Sequence, residues 1–156
     1  METTVNKRSG WGLSEGTRKI LIDMVCYLFV LLFLYAATSK LLEYDKFLLQ
    51  MSKSPIITDY SHILVWMVPT VEIIISIAFF IERTKTIALF ASFALMCLFT
   101  AYIYAILNFA DNIPCSCGGV LQQMTWNQHL IFNIVFVLLA VVGVLLQSKS
   151  TEKKTH

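Results

Sequence analysis

The sequence predicts an all-α integral membrane protein, a bundle of four transmembrane helices. Hydrophobic residues make up 57% of the chain and charged residues 14%, against roughly 45–50% and about 25% in soluble domains. The apolar residues are gathered in four runs, 20–42, 63–81, 86–109 and 129–146. Each is close to the roughly 20 helical residues that cross about 30 Å of hydrocarbon. Backbone groups in lipid must be satisfied within the segment, which makes these runs helices. Alternating segments of about ten residues, the mark of a membrane β-barrel, are absent from the sequence.

The organisation follows from these runs: a polar arm over 1–19, one transmembrane domain over 20–146, and a polar tail over 147–156. The first run has a basic approach (Lys7, Arg8, Arg18, Lys19) and small residues at Ala36, Ala37 and Ser39, as a signal peptide would. A signal core spans about 7–15 apolar residues. This run is longer, and its helical pattern continues through Lys40-Leu41-Leu42-Glu43, so it is expected to stay as a membrane helix. Beyond it, Phe47, Leu48 and Met51 fall at helical spacing and predict a short helix lying in the interface, ended by Pro55. Glu82-Arg83-Thr84-Lys85 is a short connection, which makes the second and third membrane helices antiparallel neighbours. Thr125 with Gln128 reads as a capping box at the start of the fourth helix, and Trp126 as an aromatic-belt residue.

Basic residues report orientation. Nine fall on the side of the arm, the second connection and the tail; three (Lys40, Lys46, Lys53) fall on the other. That bias places both termini in the cytoplasm and turns the connection 110–128 outward. The expected location is a bacterial inner membrane, crossed several times, with the lipid bilayer as the first partner. A net charge of +2 gives no footprint for a nucleic-acid partner.

The outward connection carries Asn112-Ile113-Pro114-Cys115-Ser116-Cys117-Gly118-Gly119. Disulfides favour Cα separations of about 4.4–6.8 Å, so residues two apart can bridge only where the chain bends. Pro114 and Gly118-Gly119 supply turn chemistry. A strained bridge is more oxidising, and the outward side permits disulfides. The pair therefore reads as a reversible dithiol, beside two plainer readings: a static disulfide, or two unremarkable loop cysteines. No metal is expected, because structural zinc takes four ligands and the other outward candidates, His62 and His129, are far apart in the chain. Cys26 and Cys97, within apolar runs, read as small apolar residues.

Glu72 sits near the middle of the second run, three residues after Pro69. A charge at that depth is costly and normally faces the bundle or pairs; Lys40, towards the outer end of the first run, is its candidate partner. The two form either a helix–helix clamp or a proton or cofactor site. Asp23 is expected to reach headgroups. Asn108, Tyr102, Tyr104 and His129 gather at the outer ends of the third and fourth helices, lining a pocket or anchoring the interface; the tyrosines read as anchors.

These residues carry a resemblance. The chain resembles the MauE proteins of methylamine utilisation, within the wider DoxX-like group of four-helix membrane proteins, over about 20–146. The carriers are Thr38-Ser39-Lys40-Leu41-Leu42, Pro69-Thr70-Val71-Glu72 and Pro114-Cys115-Ser116-Cys117-Gly118-Gly119. Members often carry an aromatic residue after the second cysteine, where this chain has Gly118. The resemblance implies a redox-associated protein that helps form or maintain disulfides in exported partners. In methylamine utilisation the implied client is a disulfide-rich dehydrogenase subunit, served beside a thioredoxin-like protein.

The expected function is thiol–disulfide exchange through Cys115 and Cys117; as an enzyme, the protein would be a thiol–disulfide oxidoreductase. Its partners would be an extracytoplasmic thioredoxin-like protein or a disulfide-containing client. A quinone or another membrane protein would be the electron partner, with Glu72 and Lys40 as the candidate cofactor residues. The alternatives are a noncatalytic membrane subunit with a structural Cys115–Cys117 bridge and a Glu72–Lys40 clamp, and a small-solute transporter using Glu72. The transporter reading lacks the repeats and interrupted helix pairs that often mark such folds.

Overall fold

The computed structural model describes residues 14–53, 57–109 and 125–152. Five helices make up nearly all of that: α1 (Glu15–Leu42), α2 (Tyr44–Lys53), α3 (Ser61–Ala78), α4 (Lys85–Phe109) and α5 (Trp126–Glu152). A 3-10 turn, Thr58–Tyr60, leads into α3. No strand occurs among the described residues. Four helices, α1, α3, α4 and α5, are long and apolar enough to cross a membrane, so the architecture is the all-α, four-span bundle that the hydropathy runs predict.

Helix ends fall where capping chemistry puts them, not where the apolar runs stop. α1 begins at Glu15 rather than at residue 20, because Ser14 Oγ accepts from the amide of Thr17 at 3.2 Å and satisfies an orphan donor of the first turn. α5 begins at Trp126 rather than at 129. The capping box is present in both directions: Thr125 N donates to Gln128 Oε1 at 2.9 Å, and Gln128 N to Thr125 Oγ1 at 3.4 Å. α3 stops at Ala78, short of residue 81, where Thr84 Oγ1 donates to the carbonyl of Ala78 at 2.6 Å. Hydropathy marks the stretch that suits hydrocarbon; the caps decide where the helix ends.

α1 packs chiefly on α3 and α4 chiefly on α5, while α1–α5 and α3–α4 contacts close the bundle. Phe29 is the hub: its ring lies 5.6 Å from Phe33, 6.3 Å from Phe79 and 5.5 Å from Phe136 between centroids. α5 approaches closely at Gly143, where an added Cβ would lie 3.0 Å from Leu89 Cδ2 and 3.1 Å from Val25 Cγ1. A small residue at a helix contact of this kind lets membrane helices pack backbone to backbone.

The outside of the bundle is apolar. Leu31 is 71% exposed, Ile63 62%, Leu98 66% and Leu138 60%. A soluble monomer does not present such side chains on every long helix; lipid is the solvent they suit. Polar groups are confined to the ends and to a few internal bonds. At the end shared by the start of α1 and the α3–α4 turn, Lys85 Nζ reaches Asp23 Oδ1 at 3.1 Å and Glu82 Oε1 at 2.8 Å. Asp23, expected to seek headgroups, is thus held by Lys85. Cys26 is buried on the same end of α1.

α2 is the short helix expected after the first run. It leans on α3 and α1, burying Phe47 and exposing Leu49. Pro55, expected to end it, lies outside the described residues, as do the arm 1–13, the connection 110–124 and the last four residues.

Candidate functional site

The site is built from the two ends of sequence that hydropathy alone would not join. Glu72 lies on the inner face of α3 with no solvent exposure. Its Oε1 accepts from Lys40 Nζ at 2.6 Å. Lys40 reaches it from the last turn of α1, so the pair ties α1 to α3 through the interior. The ammonium also lies 3.5 Å from the carbonyl of Ala36, 5.9 Å from the ring centroid of Phe47 on α2 and 5.7 Å from that of Phe99 on α4. Two aromatic faces therefore flank the cation, a favourable arrangement when water is excluded. Glu72 Oε2 is buried and has no hydrogen-bond partner among the described residues.

The pair lines a cavity of about 440 Å³ framed by all five helices. Its walls are mainly apolar, with Phe33, Phe47, Met96, Phe99 and Phe132 around the charged pair. Other polar residues in the wall include Tyr102, His129 and Asn133. Asn133, 2% exposed, donates its Nδ2 to the carbonyl of His129 at 2.8 Å. The ring of His129 stacks on Trp126 at 6.5 Å between centroids. Trp126 also lines the cavity, beyond its expected role as a belt residue.

The sequence-derived residues divide. Glu72 and Lys40 are brought together. Of the outer-end polar group, Tyr102 and His129 enter the cavity wall, whereas Tyr104 is 57% exposed and Asn108 donates its Nδ2 to the Tyr104 carbonyl at 2.8 Å. Cys115 and Cys117 lie outside the described residues. Cys26 and Cys97 are free thiols. No metal-ligating cluster occurs among the described residues.

Sequence reasoning missed Phe47 and Phe99 as neighbours of Lys40, and Asn133 altogether. Asn133 did carry a signal, an amide inside the apolar run of α5. Phe99 carried none, since its surroundings in the chain are uniformly apolar.

With this geometry in view, comparison with protein families is informative. The family described as methylamine utilisation protein MauE matches residues 18–146. The chain belongs to the MauE family. The matched stretch takes in α1 from Arg18 to α5 at Leu146, and so every helix that frames the cavity. Searches among curated proteins and among solved structures gave no match. As a MauE-family member with four apolar spans, the protein is a multi-pass membrane protein suited to an accessory role.

Proposed function

We propose that this MauE-family protein supports thiol–disulfide exchange in exported partners, with Cys115 and Cys117 as the exchanging pair. The observation that carries the reading is the Cys-x-Cys spacing between Pro114 and Gly118-Gly119, in the stretch of sequence between α4 and α5. Cys117 is nine residues from Trp126, a cavity-lining residue. The basic-residue bias turns this connection away from the cytoplasm, in a bacterial inner membrane towards a compartment that permits disulfides.

In the exchange a thiolate of the pair attacks a partner disulfide, one partner sulfur leaves as thiolate, and the second cysteine resolves the mixed disulfide. The partner is an extracytoplasmic thioredoxin-like protein or a disulfide-containing client. The test is alkylation of native membranes before and after mild reductant, followed by mass measurement of the fragment that contains both cysteines. A bridge that opens with mild reductant supports the reading; thiols that stay unbridged under oxidising conditions sink it.

A second reading is favoured by the 2.6 Å Lys40–Glu72 contact, which is also what a clamp between α1 and α3 would look like: a noncatalytic membrane subunit with a structural Cys115–Cys117 bridge. A bridge that resists reduction, together with full function in both single cysteine variants, would select it.

A further inference from the structure

We propose that the cavity at Lys40 and Glu72 binds a membrane quinone, with the ion pair holding one ring oxygen. A clamp needs both partners satisfied, because a buried acceptor without a donor costs free energy. Here Glu72 Oε2 is buried and unpartnered among the described residues, on a residue that lines the cavity. Lys40 carries three N–H donors. One is spent on Glu72 at 2.6 Å and a second on the long 3.5 Å contact with Ala36. The pair therefore offers a donor and an acceptor side by side.

That combination selects the ligand's chemistry. A phosphate head or a fatty carboxylate would bring negative charge against Glu72, and a cation would compete with Lys40. A neutral oxygen that accepts in one state and donates in the other suits both groups. A quinone carbonyl accepts from Lys40 Nζ, and the corresponding quinol hydroxyl donates to Glu72 Oε2. The walls fit a flat ring: Phe47 and Phe99 flank the ammonium, and Met67, Met96 and Phe132 complete an apolar, polarisable lining. The volume, about 440 Å³, lies within the roughly 300–1,000 Å³ of small-molecule sites. Two lining residues, Met67 at 48% and Leu98 at 66%, are also exposed on the apolar outer surface. In the proposed complex an isoprenoid tail would leave past these apolar side chains into lipid.

Coupling to thiols rests on the exchange reading above; the binding itself does not. In the coupled step two thiols lose two electrons and two protons, one S–S bond forms, and the quinone takes up both electrons and both protons to become the quinol.

The test is titration of the full-length protein in phosphatidylcholine nanodiscs with decylubiquinone and with menadione, read by native mass spectrometry. Saturable retention of either is expected. Glu72→Ala should raise the dissociation constant of decylubiquinol, the reduced form titrated in parallel, about tenfold or more, the loss of a hydrogen bond to a charged group. Val68→Trp fills a lining position while leaving the pair intact, and should abolish retention even if Glu72→Ala fails to fold. Retention of phospholipid that neither quinone displaces would make this a lipid site and overturn the proposal, as would undiminished affinity in the Val68→Trp variant. The Cys115→Ser/Cys117→Ser protein should bind as the parent does. Binding with unreactive cysteines would leave the quinone site standing and sink the exchange reading; cycling cysteines without binding would do the reverse.

Discussion

Lys40 Nζ and Glu72 Oε1 meet at 2.6 Å across 32 residues of sequence, and this contact is a polar link between α1 and α3. Its two partners are unequal: the Glu72 side chain is fully buried and that of Lys40 is 22% exposed. Removing one member of a buried pair strands the other, at a cost of about 3–5 kcal/mol, whereas replacing both with apolar residues of similar size is often neutral. Lys40→Met and Glu72→Leu should therefore each lower thermal stability in detergent, and the double variant should recover most of it. If the double variant regains stability but not function, the pair does more than clamp. If it regains both, the clamp reading suffices.

Gly143 makes a second, purely steric prediction. The neighbours of an added Cβ, Leu89 Cδ2 at 3.0 Å and Val25 Cγ1 at 3.1 Å, are ends of flexible side chains. Gly143→Ala should be tolerated with small adjustments. Gly143→Leu should overpack the α1–α4–α5 contact, costing about 1–3 kcal/mol and lowering the melting temperature measured in detergent. A Gly143→Leu protein as stable as the parent would show that α5 does not approach so closely.

How much of this was legible in the sequence depends on what the signal was. The four spans were, because lipid demands long apolar runs and nothing else in the chain imitates them. The Thr125–Gln128 cap was also legible, because a capping box is local chemistry. Glu72 stood out as a charge at bilayer depth, and Lys40 as the cation at a plausible height to meet it. The cavity itself was not legible. When every face of a helix is apolar, periodicity cannot separate the face that meets lipid from the one that lines a cavity; Leu98 and Phe99 are adjacent and both apolar, yet it is Phe99 whose ring lies near Lys40. The ion pair of Asp23 is not legible for a related reason: its partner, Lys85, lies 62 residues away, and only the packing of the α3–α4 turn against α1 brings it near.

Orientation yields a third prediction. Nine of the twelve basic residues lie on the side of the arm, the α3–α4 turn and the tail, so that side should be cytoplasmic. A reporter active only in the cytoplasm should work when fused after Lys149 or inserted within 83–85. One active only outside should work near Gly119. A cytoplasmic signal at Gly119 would overturn both the orientation and the compartment on which the disulfide chemistry depends.

The last prediction concerns the two cysteines separately. Exchange needs one accessible thiolate to attack and a second thiol to resolve the mixed disulfide. In Cys115→Ser and in Cys117→Ser the resolving step is lost, so a mixed disulfide formed by the remaining sulfur should persist. The two variants should differ: only the one that keeps the primary attacker should accumulate a covalent partner, visible as a reductant-sensitive band shift in membranes from cells alkylated at harvest. Cys26→Ser and Cys97→Ser should leave the pattern unchanged. Cys26 is buried and Cys97 half-buried within membrane helices, where a thiol packs as a small apolar group. Accumulation in both single variants to the same extent would mean that neither sulfur is specialised and that the shift reports accidental pairing. Accumulation in neither, with activity kept in both, would remove the exchange chemistry from Cys115 and Cys117. The Lys40–Glu72 cavity would then have to be tested as a site in its own right.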